Sequence, residues 1–411
     1  MKIPLAIGCG LCAIGVTGRA SADPIVLRGD ALATTAAPAG LLSLTADGDA
    51  GPNMSAEASV WTGRTASTAG DRADGDVLVI ALHARTVDGR ASATLGRFVE
   101  MLGALRPVHV DGGAGRIRLP QRFDVEAFAG VPVLPDLTTS RTWDWVTGGR
   151  VSRRLGDWGS AGVAYLQQRD DGRVDTEEVG VDAGAAIGAH DDVAGKVAYD
   201  LANPGVAEAK VTASDRHGAL RSEVYAMYIA ASHVLPATSL FTVLGDIPSV
   251  RAGTNLTWRA APRLDLNADL AVRRSQGDAI DGATPIPSTA EVGEVLAPEI
   301  RLRATLRLDA RGASAVGGEL RRDGGGDSGW TGARATARIA MPYALTASCE
   351  LELVVPDHDL GLGRVWPWAL VAVSRTWGAW HGAVAVEVQA SPEDRSRVDA
   401  LVELGRTWSL R

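Results

Sequence analysis

Two residue sets interleave through Glu299–Asp309. Ile300, Leu302, Ala304, Leu306 and Leu308 are apolar, and Arg301, Arg303, Thr305, Arg307 and Asp309 are polar. Strict alternation describes a β-strand with one dry and one wet face. The pattern recurs at intervals of roughly 20 residues along the chain. Leu266, Ala268, Leu270 and Val272 alternate with Asp265, Asn267, Asp269 and Arg273. Ala333, Ala335, Ala337 and Ile339 alternate with Arg334, Thr336 and Arg338. Leu345 to Leu353 sets Cys349 and Leu351 against Glu350 and Glu352, and Val384, Val386 and Val388 alternate with Glu387 and Gln389. Val179–Ile187 and Val398–Leu410 repeat the theme, and helical periodicity is nearly absent after Asp23.

Turn signals such as Asp88-Gly89, Asp170-Asp171-Gly172, Asn203-Pro204-Gly205 and Arg311-Gly312 separate these segments. About 19 to 21 strand-like segments follow residue 25, and the even-number rule for bacterial barrels gives about 18 strands, within roughly 16–20. The expected fold is all-β: a single transmembrane antiparallel β-barrel with no linker that divides it. Two stretches break the alternation. Phe98–Pro120 contains "FVEMLGALRPVHVDGG", and Ala230–Ser249 contains "AASHVLPATSLFTVLGDIPS". Both are expected to be long loops or short helices, which in a barrel can fold inward and narrow the pore. Ser275–Glu294 reads as an exposed loop.

Alternation alone also describes a secreted sandwich or solenoid. Three features favour a membrane. The apolar faces are built of Ala, Val and Leu, with only four phenylalanines in 411 residues. The tryptophans (Trp143, Trp145, Trp158, Trp258, Trp330, Trp366, Trp368, Trp377, Trp380, Trp408) fall near segment ends, where interfacial girdles place them. The polar faces carry both signs of charge at successive positions, as a wetted interior tolerates. No fixed-period motif supports a solenoid.

The N-terminus adds a route to that membrane. Lys2, the apolar run Ile3–Val16 and Ala20-Ser21-Ala22 form a secretory signal, so residues 1–22 are expected to be removed and 23–411 to form the barrel of a Gram-negative outer membrane. Cys9 and Cys12 leave with the signal. Cys349 alone remains, which excludes a disulfide-stapled fold. The formal net charge is −8, so no nucleic-acid footprint is visible.

Signal, alternation, size and terminal strand together resemble bacterial outer-membrane porin-like barrels. Leu95-Gly96-Arg97-Phe98, the following "LGALRPVHVDG" and the strand "VEAFAGVPV" are similar in order to the alginate-export and specific-porin type, and to exopolysaccharide-export barrels. The resemblance implies a channel for polar or anionic solutes, with secreted polysaccharide as the leading cargo and a periplasmic export partner feeding it. The end Trp408-Ser409-Leu410-Arg411 departs from the terminal aromatic residue usual in such barrels.

The candidate pore-lining residues are Arg273, Arg301, Arg303, Arg307, Arg334, Arg338, Asp265, Asp269, Glu350 and Glu352, with Glu319 and Arg321 beside them. Arginine at the lipid midplane costs roughly 2–4 kcal/mol, which orients these residues inward. Two readings stand for the cluster: a guanidinium pathway that hands an anion along, or an ion-pair lattice that braces the wall. The alternative function is a non-transport barrel serving as an envelope-assembly or surface-interaction platform. Enzymatic signals are weak. Gly326-Asp327-Ser328-Gly329 matches a serine-protease tetrapeptide but has no histidine motif upstream. The seven histidines show no zinc-ligand spacing, His358 sits between two aspartates, and no Walker loop or dinucleotide fingerprint occurs. The expectation is therefore no enzyme, no cofactor and no metal.

Overall fold

A computed structural model describes residues 25–35, 39–67, 70–133, 143–230, 249–276, 294–324, 329–357, 365–390 and 397–410. The signal region 1–22, most of the Ala230–Ser249 and Ser275–Glu294 stretches, Gly326–Ser328 and His358 lie outside these residues. The chain forms 22 strands: β1 Ile25–Thr34, β2 Ala39–Gly51, β3 Met54–Ser67, β4 Gly70–Arg85, β5 Ala91–Glu100, β6 Val108–Leu119, β7 Phe123–Pro132, β8 Trp143–Arg154, β9 Gly159–Asp170, β10 Arg173–Ala186, β11 Asp191–Asp200, β12 Gly205–His217, β13 Leu220–Ile229, β14 Ser249–Ala261, β15 Leu264–Gln276, β16 Glu294–Arg307, β17 Ala315–Asp323, β18 Trp330–Met341, β19 Leu345–Pro356, β20 Trp366–Trp377, β21 Trp380–Gln389 and β22 Arg397–Leu410.

Each strand pairs antiparallel with its neighbours in sequence, and β22 returns to β1 in a register running from Ile25↔Leu410 to Thr34↔Leu401. The sheet is a closed barrel, as the alternation predicted. Its 22 strands exceed the expected count of about 18. The difference has two sources. Several hairpins turn on two residues, as at Gly218-Ala219 and Gly378-Ala379, where a glycine at φ 58° makes the tight reversal and leaves little turn signal. The glycine-rich run Val108–Leu119, read as part of a loop, is a strand. Gly112 stands where a Cβ would meet the Ala129 carbonyl oxygen at 2.2 Å, so only glycine permits that wall to pack.

Alternation sorts the faces. On β16, Leu296, Ile300, Leu302 and Leu306 project outward and are exposed, and Val371, Val373, Val384, Val386, Val402 and Leu404 do the same near the seam. Several outward tryptophans sit at the barrel rims. Trp158, Trp258, Trp377, Trp380 and Trp408 lie at the end with short hairpins and both strand termini, and Trp145 lies at the opposite end. The longest connections, 133–142, 230–248 and 277–293, all join strand ends at that opposite rim, as does 101–107.

Placing Leu302→Arg on the apolar face should cost about 2–4 kcal/mol of folding free energy. Thr305→Arg, on the inner face of the same strand, should cost well under half as much. Refolding titrations into lipid vesicles measure both, and equal costs would contradict the assignment of faces.

Candidate functional site in the barrel interior

The inner face of β13–β20 is an ionic wall. Strand register puts opposite charges across from one another: Asp269 faces Arg301, Arg303 faces Glu319, Glu319 faces Arg334, and Arg334 faces Glu352. Side chains then choose partners. Glu299 receives Arg251 at 2.7 Å and Arg273 at 3.2 Å, and Arg273 also reaches Asp323 at 3.3 Å. Asp269 lies 3.7 Å from Arg251 and accepts the Tyr225 hydroxyl at 3.4 Å. Asp265 is held by Arg307 and, at 3.2 Å, by Arg259. Arg321 joins Glu319 to Glu352, and Arg334 pairs with Glu350 while its guanidinium lies 5.9 Å from the Trp368 ring centroid. Arg338 donates to the Gly312 carbonyl at 2.8 Å.

All ten sequence-predicted residues therefore share the inner face, but they are not equivalent. Arg273, Arg307 and Arg334 are each paired with at least one carboxylate. Arg301 is 60% exposed and touches Glu319 only at 3.9 Å. Arg303 is exposed and forms no ion pair with a described residue. Alongside Arg301, a recess of about 340 Å³ is lined by Arg251, Arg273, Arg321, Glu299, Asp323 and Trp330.

Trp330, Trp366 and Trp368 were expected in the interfacial girdle, and the structure corrects this. Trp330 lines the inner recess. Trp368 donates its indole N–H to Glu387 at 2.7 Å on the inner face, and Trp366 shares its side of β20. Proximity to turns suggested the girdle, whereas parity is the better signal. On β20, Trp366 and Trp368 alternate in step with Ser374 and Thr376, opposite to Val371 and Val373.

Part of the opposite wall is covered by apolar packing. Phe98–Pro120, expected as one long loop or helix, is mostly strand, and only residues 101–107 leave the sheet. They turn inward, with Leu102, Ala104 and Leu105 buried. Small residues on the wall receive them. A Cβ on Gly180 would lie 2.8 Å from Leu105 Cδ2, and one on Gly148 would lie 3.0 Å from Leu102 Cδ1. Gly103 takes φ +58° as the segment reverses beside Asp182 and Arg150. Phe98, Val110, Phe128, Val146 and Leu166 complete the cluster. One ion pair crosses it: Arg106 Nε donates to Glu178 Oε1 at 2.6 Å, and the Glu178 side chain is fully buried. At its edge Arg150 bridges Asp182 at 2.6 Å and Glu126 at 3.1 Å. No group of three metal-ligating residues occurs among the described residues.

The architecture defines a class: a closed antiparallel barrel with an apolar outer face, the outer-membrane β-barrel. No protein-family model matches the chain, and no curated protein matches it. Solved structures do. The siderophore receptor PirA from Pseudomonas aeruginosa superposes with TM-score 0.57 at 10% identity, over 94% of this chain and 80% of that one. A mutant of the ferric enterobactin receptor PfeA from Pseudomonas aeruginosa gives 0.57 at 9%, over 94% and 81%. The translocation pore of the P pilus usher PapC gives 0.52 at 10%, over 95% and 100%. These likenesses establish the fold, and with the exposed apolar belt they place the chain in a bacterial outer membrane.

Removing one partner of a buried pair leaves the other uncompensated, at about 3–5 kcal/mol. Glu178→Gln should destabilise by that order in urea titrations of the detergent-solubilised barrel and should open residues 101–107 to proteolysis. Replacing Arg106 and Glu178 together by leucine should restore most of the loss. If the double variant is as unstable as the single, the pair is not the anchor.

Proposed function

We propose that this barrel is a channel for polar and anionic solutes, with a secreted saccharide polymer as the favoured cargo. The observation that carries the reading is the asymmetry among the inner arginines. Arg273, Arg307 and Arg334 are paired with fixed carboxylates and Arg338 rests on a backbone carbonyl, but Arg301 and Arg303 remain available to a passing anion. A guanidinium offers paired donors to a carboxylate or phosphate and stays charged at any working pH. Carboxylates between the arginines limit how tightly an anion is held, which passage requires. The inner tryptophans support a saccharide in particular. Trp330, Trp366 and Trp368 present apolar ring surface beside hydrogen-bonding groups, a combination that suits pyranose rings with an apolar face and hydroxyl edges. Polymer export would draw on a periplasmic partner at the short-hairpin end, the periplasmic side in barrels of this class.

The dry packing of residues 101–107 favours a second reading, a barrel without through-passage that serves as an envelope-assembly or surface-interaction platform. Planar-bilayer recording separates the two. A channel should give stepwise conductance with anion preference, and Arg301→Ala with Arg303→Ala should lower that preference about two- to five-fold in permeability ratio without loss of folded protein, on the order of 1 kcal/mol or less for surface charges. Absence of conductance, both in the native chain and after residues 101–107 are shortened, would establish the platform reading instead.

A further inference from the structure

The outer face near the closing seam carries a second arginine site, which neither the interior nor the channel reading uses. Arg406 projects outward from β22, one position beyond Leu404 on the same side, at the short-hairpin rim. Its guanidinium lies between two indoles, 4.9 Å from the Trp380 ring centroid and 5.2 Å from that of Trp408. Its Nε is buried with no hydrogen-bond partner, and it forms no ion pair with a described residue. Arg375 projects outward two strands away. Gly382 faces Arg375 on one side and Leu404 on the other, which sets Arg375 one outward row nearer the belt than Arg406, and the Trp377 ring overlies Gly382, so that a Cβ there would meet Trp377 Cη2 at 2.9 Å. The outward positions of β20–β22 and β1 carry no acidic residue among those described: their neighbours are Val371, Val373, Val384, Leu404, Leu27, Gly29 and Ala31.

Of the other outward arginines, Arg153 rests on Phe123 and Arg169 on Trp145, one ring each, while Arg97 and Arg322 towards the opposite rim already hold Asp111 and Asp357. At the seam one cation, Arg406, lies between two indoles, with a second outward arginine, Arg375, nearby and the apolar belt directly above. A cation at this level faces the headgroup layer, where anionic phosphate attached to hydrocarbon is at hand. We propose that Arg406 and Arg375, framed by Trp377, Trp380 and Trp408, bind the headgroup phosphate of an anionic membrane phospholipid, whose acyl chains lie along the valine face above. The lipid thereby caps the join between β22 and β1.

Native mass spectrometry of the full-length folded barrel in detergent, with added phosphatidylglycerol or phosphatidylcholine, tests this. The native chain should retain phosphatidylglycerol preferentially. Each of Arg406→Gln and Arg375→Gln should weaken retention about five-fold, from roughly 1 kcal/mol per arginine near an anionic surface. Arg153→Gln should leave it unchanged. Heat-modified electrophoretic mobility reports whether each variant is folded. Should Arg406→Gln fail to fold, Arg406→Lys keeps the charge but loses the fork, and should retain the lipid more weakly than the native chain. Equal retention of the two lipids, or losses in Arg153→Gln matching those at the seam, would overturn the proposal.

Discussion

Everything in this barrel follows from one constraint: hydrocarbon cannot hydrogen-bond. A strand edge left open in lipid strands a row of N–H and C=O groups, at several kcal/mol each. The sheet must therefore close on itself, and the pairing of β22 with β1 is what makes the other 21 strand contacts tolerable in a membrane. Closure also fixes the use of side chains. Once inside and outside are set at the seam, a one-residue slip would carry Arg301, Arg303 and Arg307 into lipid, so hydrophobic alternation and closure enforce a single register.

The same constraint appears where the wall is uneven. β4 pairs with β5 only from Ile80↔Arg97 to Arg85↔Ser92, and above that level it has no backbone partner on that side. Two side chains stand in. Arg97 donates to the Val77 carbonyl at 2.8 Å, and His109 Nε2 meets the Leu78 carbonyl at 2.6 Å, which requires the proton on that nitrogen. Arg97 is itself held by Asp111 through two 2.7 Å bonds. Here β5 and β6 end early and residues 101–107 turn into the interior. The step in the wall and the inward segment are thus one event, with side chains replacing the ladder that the departing strands no longer supply.

How much of this the sequence disclosed depends on how local each determinant is. The fold class was legible because alternation is a local record of two solvents, and Glu299–Asp309 shows it without any tertiary information. Strand number was less so, because Gly218-Ala219 and Gly378-Ala379 reverse the chain with almost no polar punctuation, and because Gly112 and Gly130 read as breakers although they permit close strand contact. The inner arginines could be named from parity, but which of them were free could not. Arg307 and Arg303 look alike in sequence, and cross-strand partners contributed by other hairpins distinguish them. The inward tryptophans were missed because position near a turn was weighed above parity.

Arginine illustrates why parity is the stronger guide. On the wetted inner face, each cation can be balanced by a carboxylate on the facing strand, since water lowers the cost of both charges and register brings them together. Arg273, Arg307 and Arg334 are solved this way. On the outer face a carboxylate within the apolar belt would have to be desolvated along with its partner. Arg153, Arg169 and Arg406 lie on aromatic faces there, which attract a cation without adding a charge to bury, while Arg97 and Arg322, towards the opposite rim, keep the carboxylates of Asp111 and Asp357. Three inner arginines differ from these: among the described residues Arg301 meets an acid only at 3.9 Å, Arg303 forms no ion pair, and Arg338 rests on the Gly312 carbonyl.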